Sequence, residues 1–148
     1  MAILSVRKYG DPLLRRRALP VDQVTPELRT MIANMTDTMY DEVGIGLAGP
    51  QVGIPLRLIV VGDEEGRGAQ ALVDPVITAR GGEATAEEGC LSIPGVFAPV
   101  TRSVWVKVEA RDADLPRLLE DALREFTTPR AGSRGIIEVE VDPVEWRF

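Results

Sequence analysis

Apolar positions change their spacing several times along the chain, and each change predicts an element. At Thr25-Pro26-Glu27 the residues suit a helix start: a hydroxyl to cap it, a proline whose missing N–H costs nothing in the first turn, and an acid facing the helix dipole. Leu28, Met31, Ile32, Met35 and Met39 then recur at helical spacing and define one face, which fades near Asp41 to Gly44. That methionine stripe is read as core, because flexible thioether chains fill irregular gaps. "LRLIVVG" (56–62) is nearly continuous apolar and β-branched, as a central strand would be. "ALVDPVIT" (71–78) predicts a strand interrupted at Asp74-Pro75, where proline cannot donate to a ladder and an edge or bulge is expected. "VWVKVEA" (104–110) alternates, with Val104, Val106 and Val108 on one face. Beyond it the period lengthens again. Asp114 is placed to cap a helix with Leu115, Leu118, Leu119, Ala122, Leu123 and Phe126 on one side, ended by Pro129 and Gly132. "GIIEVEV" (135–141) predicts a last strand.

These elements make a single α+β domain over 1–148, with no repeat and no linker. A chain of 148 residues can bury a sizeable core without disulfides. Its one cysteine, Cys90, excludes an intrachain bridge and fits a reducing compartment. No apolar run is long enough to span a bilayer and the N-terminus lacks a signal-peptide core, so the expected address is the cytoplasm, with no membrane partner. Net charge of −6 argues against a nucleic-acid partner, which would need a basic face. Arg15-Arg16-Arg17 is read as solvated surface. The chain contains no histidine, which removes Ser-His and Cys-His nucleophile pairs and every imidazole metal site from within it.

"GIGLAGPQVG" (44–53) contains G-x-G-x-x-G at Gly44, Gly46 and Gly49. A dinucleotide turn follows a strand and opens a helix. Here a helix precedes Gly44, and Pro50, Gly53 and Pro55 prevent one from following at once. The match is accidental. The glycines can still let backbone approach a partner closely.

A second run, "EEGCLSIPG" (87–95), holds the cysteine ahead of an expected Pro-Gly turn. Taken together, "GIGLAGPQ" (44–51) and "EGCLS" (88–92) resemble the first two signature motifs of the peptide deformylases, which remove the formyl group from the N-terminal methionine of new polypeptides. "YGDPLLRRRA" and "GVFAPVTRSVWVKVEA" are similar too, so the likeness covers about residues 1 to 110, with 111–148 divergent. Gly49 departs from the family's usual alanine. The resemblance implies a helix packed on a mixed or antiparallel sheet. It makes Cys90 a ligand of the catalytic metal, usually ferrous iron. Gln51 would donate its side-chain amide to the developing oxyanion and Leu91 its backbone N–H. Gly44, Gly46 and Glu88 would lie on the substrate side, with Glu88 and Arg102 forming a charged pair that props the metal loop. Two fixed donors and a thiolate-held Lewis acid are a sound set for hydrolysing an amide.

The family's third motif, H-E-x-x-H on a helix, would supply two more ligands and the general base. The chain has none; near that place it reads "AGSRGII" (131–137), and the helix at 115–126 comes too early. Asp121 and Glu125, one turn apart, could join Cys90 in a carboxylate site, but they also belong to the charged face of an amphipathic helix. Cys90 could equally be an inert buried thiol. Three readings follow. One is a deformylase-like protein without a working metal site or cofactor, keeping a groove for N-terminal peptide segments of nascent polypeptides. Another is an active, divergent enzyme holding Fe2+, Zn2+ or Ni2+ through carboxylates or a partner chain. The third is a regulatory module that binds another protein through its replaced C-terminal region.

Overall fold

The computed structural model describes residues 2–62, 69–111 and 135–140, the last stretch by its backbone. The helix α1 spans Pro26–Asp41, and Thr25 caps it as expected, its hydroxyl accepting the Leu28 N–H at 3.2 Å. Its inner face buries Ile32, Met35, Thr38 and Met39. Thr38 is polar yet satisfied: its hydroxyl donates to the Asn34 carbonyl at 2.6 Å and accepts the Leu4 N–H at 2.8 Å, tying the N-terminal strap to the helix. Two bonds close the C-terminus, Val43 N–H to Tyr40 O at 3.0 Å and Gly44 N–H to Met39 O at 2.8 Å. This closure usually places glycine in the left-handed position. Here Val43 holds it, at φ +56°.

The strands are β1 (Gly46–Ala48), β2 (Leu58–Gly62), β3 (Ala69–Gly81), β4 (Ala84–Cys90), β5 (Ile93–Arg102), β6 (Trp105–Arg111) and β7 (Gly135–Glu140). Among the described residues they form a five-stranded sheet in the order β1-β2-β3-β6-β7 and a separate β4-β5 ribbon. These strand pairings are antiparallel, and an isolated parallel bridge joins Leu19 to Leu56. Helix α1 lies on one face of the larger sheet, where Val21, Met35, Met39, Leu58, Val60 and Val73 meet. Burying side chains of this size fully contributes about 1.5–3 kcal/mol each. On the opposite face Leu72, Val108 and Ala110 form a smaller cluster with Val106 packed against it, so two of the three valines read as one face, Val106 and Val108, meet there.

The expected bulge falls where the sequence puts it. The β3–β6 register shifts between Val73 and Val76, and Asp74 takes φ +50°. Its carboxylate accepts the Val21 N–H at 2.9 Å and lies 3.4 Å from Arg111, so the kink is pinned on both sides. Elsewhere the sequence reading needs correction. The β4-β5 ribbon has no counterpart in the sequence reading, because "ATAEEGC" and "IPGVFAPVTR" carry no clean apolar alternation and the turn signal at Pro94-Gly95 does not mark the ribbon's turn. Its turn is Leu91-Ser92, with Cys90 opposite Ile93, rather than Pro94-Gly95. Pro94 and Gly95 lie instead where the register jumps from Cys90↔Ile93 to Gly89↔Phe97, and Gly95 absorbs the detour at φ +76°. The helix expected at 115–126, with Asp121 and Glu125, lies outside the described residues. No helix among the described residues is long and apolar enough to cross a membrane.

Candidate functional site

Gln51 sits on a single 3-10 turn, Gly49–Val52, that leaves β1. Its side-chain oxygen accepts the Ala48 N–H at 2.9 Å, and that bond decides which way the amide points. The NH2 group therefore faces the β4-β5 turn. It donates to Ser92 Oγ at 3.2 Å and lies 4.0 Å from Cys90 Sγ. Two segments about 40 residues apart in sequence are thus joined through one amide. Ser92 is buried to 5% exposure, and the sequence reading missed it. Ser92 falls inside the motif "EGCLS" without a role of its own there; only the folded turn brings its hydroxyl to the amide.

Cys90 ends β4 and is exposed, which is at odds with the reading of it as a buried thiol. Leu91 follows in the turn, and its side chain lies against Gly44: a Cβ there would come within 2.7 Å of Leu91 Cδ1 and 3.3 Å of the Met39 carbonyl. Gly44 is therefore needed for close packing between the two motif segments. Gly46 differs, since an added Cβ would meet only Val60 O at 3.5 Å. Its strand, β1, is an edge of the sheet, with β2 on one side. Gly49 is crowded by backbone, with Ile54 O at 2.9 Å and Leu56 O at 3.0 Å from a built Cβ.

Glu88 and Arg102 reach diagonally across the ribbon, their register partners being Ala98 and Ala84, and form a bidentate pair of 2.8 to 3.2 Å. The Arg102 hydrogen bonds hold the Glu88 carboxyl below the usual glutamate value, and Glu88 raises Arg102 in turn. Arg102 is 67% exposed, so solvent screens much of this pair. Arg15, Arg16 and Arg17 are exposed, as expected of solvated surface.

These elements border an open cleft of about 1200 Å³ between the loop after α1, the ribbon, and the adjoining ends of β3 and β6. Its walls include exposed apolar side chains, Val43 at 85%, Val96 at 56% and Phe97 at 55%. Gln51, Glu88, Cys90 and Leu91 all line it, with Gly44 and Gly46.

Among the described residues, the groups around Cys90 do not by themselves make up a metal site of the kind that the family resemblance implies. Cys90 faces an amide NH2, which donates and cannot ligate. Among the described residues no three of His, Cys, Asp and Glu converge on one point, and the full sequence has no histidine. The candidate carboxylates Asp121 and Glu125 lie outside the described residues.

A family model described as polypeptide deformylase matches residues 3–122. The chain is 46% identical over 110 residues to a peptide deformylase of Desulfitobacterium hafniense, covering 74% of this chain and 72% of that protein. It is 39% identical over 122 residues to peptide deformylase 1 of Clostridium perfringens, covering 82% and 83%. Its structure is similar to a peptide deformylase from Legionella pneumophila, with TM-score 0.77 and 37% identity over 94% of this chain and 73% of the other. The Thermotoga maritima peptide deformylase gives TM-score 0.77 and 34% identity, over 95% and 83%.

Proposed function

We propose, for a chain that belongs to the peptide deformylase family, that it recognises the formylated or free N-terminal segment of a polypeptide without hydrolysing it at enzymatic speed. The family is one of metalloenzymes, generally with Fe2+. The observation that carries the proposal is a contrast within one site. The Gln51 amide is held at its oxygen by Ala48 and directed by Ser92, as a carbonyl-polarising donor must be. The chain meanwhile has no histidine to anchor an ion beside Cys90 or to move a proton.

In this reading Gln51 Nε2 and the Leu91 N–H bind a substrate carbonyl oxygen, favouring a polarised form. The edge of β1, which pairs only with β2 among the described residues, and the Gly44-Ile45 segment that leads into it accept an extended peptide through backbone bonds. The apolar wall, including Val43, Ile45 and Phe97, takes the methionine side chain. The Glu88–Arg102 pair stiffens the ribbon that carries Cys90. No base and no metal-activated water is assigned, so the arrangement binds and polarises without a route to formate.

The test is calorimetric titration of the purified chain with an N-formylmethionyl tripeptide, together with formate release and metal content. Expected are saturable binding, weakened at least about tenfold by Gln51→Leu, and formate release at background rate with or without added Fe2+. Turnover accompanied by bound metal, both lost in Cys90→Ser, would establish a working hydrolase instead. No peptide binding at all would favour the protein-interaction reading.

A further inference from the structure

The two halves of the carbonyl-binding site are also gripped from outside by a third segment. Arg7 N–H donates to the Gln51 carbonyl at 2.6 Å, and Tyr9 N–H donates to the Ser92 carbonyl at 2.8 Å. Between them, the Lys8 ammonium donates to the Leu91 carbonyl at 2.9 Å. Three consecutive residues therefore hold one residue of the first motif and two of the second, across a gap that the Gln51–Ser92 bond also bridges and that the chain itself crosses through β2, β3 and β4. The segment is itself anchored. Val6 is buried at 6% exposure, and Leu4 N–H is held by Thr38. Arg7 lies over Gly53, where a Cβ would come within 3.1 Å of its guanidinium, and pairs with Asp11 at 3.4 Å. Asp11 in turn caps the short turn that begins at Pro12.

We infer that Arg7–Tyr9 is a clasp that sets the separation of Gln51 from the Leu91-Ser92 turn, with Lys8 as its positioning residue. The backbone bonds of Arg7 and Tyr9 fix where the two segments lie. The Lys8 bond fixes how the Leu91-Ser92 peptide plane is turned, and the Leu91 N–H is attached to the same α-carbon. A polarising pair of donors works only if both converge on one oxygen, within about half an ångström of the productive geometry. Lys8 does this from the surface. Its side chain is exposed, so its removal tests positioning rather than folding. The inference rests on the carbonyl-binding reading for its purpose, while the clasp itself can be measured without any ligand.

The experiment compares the parent with Lys8→Met, Lys8→Arg and a surface control, Arg17→Met, by amide 1H–15N spectra and hydrogen exchange in the unliganded protein, with formylmethionyl-tripeptide affinity measured alongside. In Lys8→Met the Leu91 and Ser92 amide resonances should move. Exchange of the Tyr9 amide should quicken about three- to tenfold while the melting temperature holds within about 1 °C. Lys8→Arg should restore both, because the guanidinium also donates to a carbonyl. Peptide affinity should fall by a similar factor in Lys8→Met alone. Resonances and exchange indistinguishable from those of the control would overturn the clasp. If the clasp responds as stated but no variant, nor the parent, binds the peptide, the carbonyl-binding reading fails and the clasp stands.

Discussion

Val43 offers a sharp test because its backbone and side chain pull in opposite directions. It occupies the left-handed position that ends α1, at φ +56°, with a β-branched side chain 85% exposed. A residue with a Cβ in that conformation costs roughly 1–2 kcal/mol, and branching at Cβ adds to the crowding. So little of Val43 is buried that removing its side chain forfeits little packing. Val43→Gly should relieve the strain, offset by about 0.4–1 kcal/mol for the greater freedom of glycine in the unfolded chain. The net expectation is stabilisation by about 0.5–1 kcal/mol, a rise in melting temperature of roughly 1–4 °C for a domain of this length. Thermal unfolding followed by circular dichroism, with Val43→Asn as an intermediate case, measures it. A glycine variant that melts below the parent would refute the reasoning, for it would mean that Val43 makes a contact worth more than its strain.

Other consequences follow from the same geometry. Gly44→Ala should destabilise by about 1 kcal/mol, since its methyl would lie 2.7 Å from Leu91 Cδ1 and displace that side chain; Gly46→Ala, with only a 3.5 Å contact, should melt within about 2 °C of the parent. A comparison of the two by differential scanning calorimetry decides it, and a Gly46→Ala loss equal to that of Gly44→Ala would count against the packing argument. Met39→Ala, at a site with no exposure, should cost about 2–5 kcal/mol in urea unfolding. Glu88 is held below its ordinary value by Arg102, so the pair contributes stability above that value and loses it as pH falls through the lowered one. The loss should be small because the pair is exposed, should diminish in high salt, and should vanish in Glu88→Gln when melting is followed from pH 7 to pH 3.

How far the sequence could be read depended on the range of each interaction. Helix α1 was legible down to its capping residue, because Thr25, Pro26 and the apolar stripe act within a few positions of one another. The bulge at Asp74 was legible in place, though its cause was not. Proline signals a break in pairing, while the left-handed Asp74 is held by Val21 and Arg111, which lie far from it on either side in the sequence. The β4-β5 ribbon stayed hidden because most of its side chains are exposed on both faces, so no apolar alternation marks it. At the site, the motif resemblance supplied Gln51, Cys90 and Leu91, but the bonds of Ser92 to Gln51 and Tyr9, and of Lys8 to Leu91, are long-range and leave no trace in spacing.

By itself the sequence determined the helix, the strand periods, the family-like motif pair and the lack of imidazole, each a matter of residue type or of neighbours within a turn. Only the tertiary structure decided which way the Gln51 amide points, that the ribbon turns at Leu91-Ser92, and that Arg7 to Tyr9 grip both halves of the site. The physical reason is that a hydrogen bond is directional and short. Whether a donor and an acceptor dozens of residues apart meet at 3 Å depends on the summed path of every element between them, which no local pattern encodes.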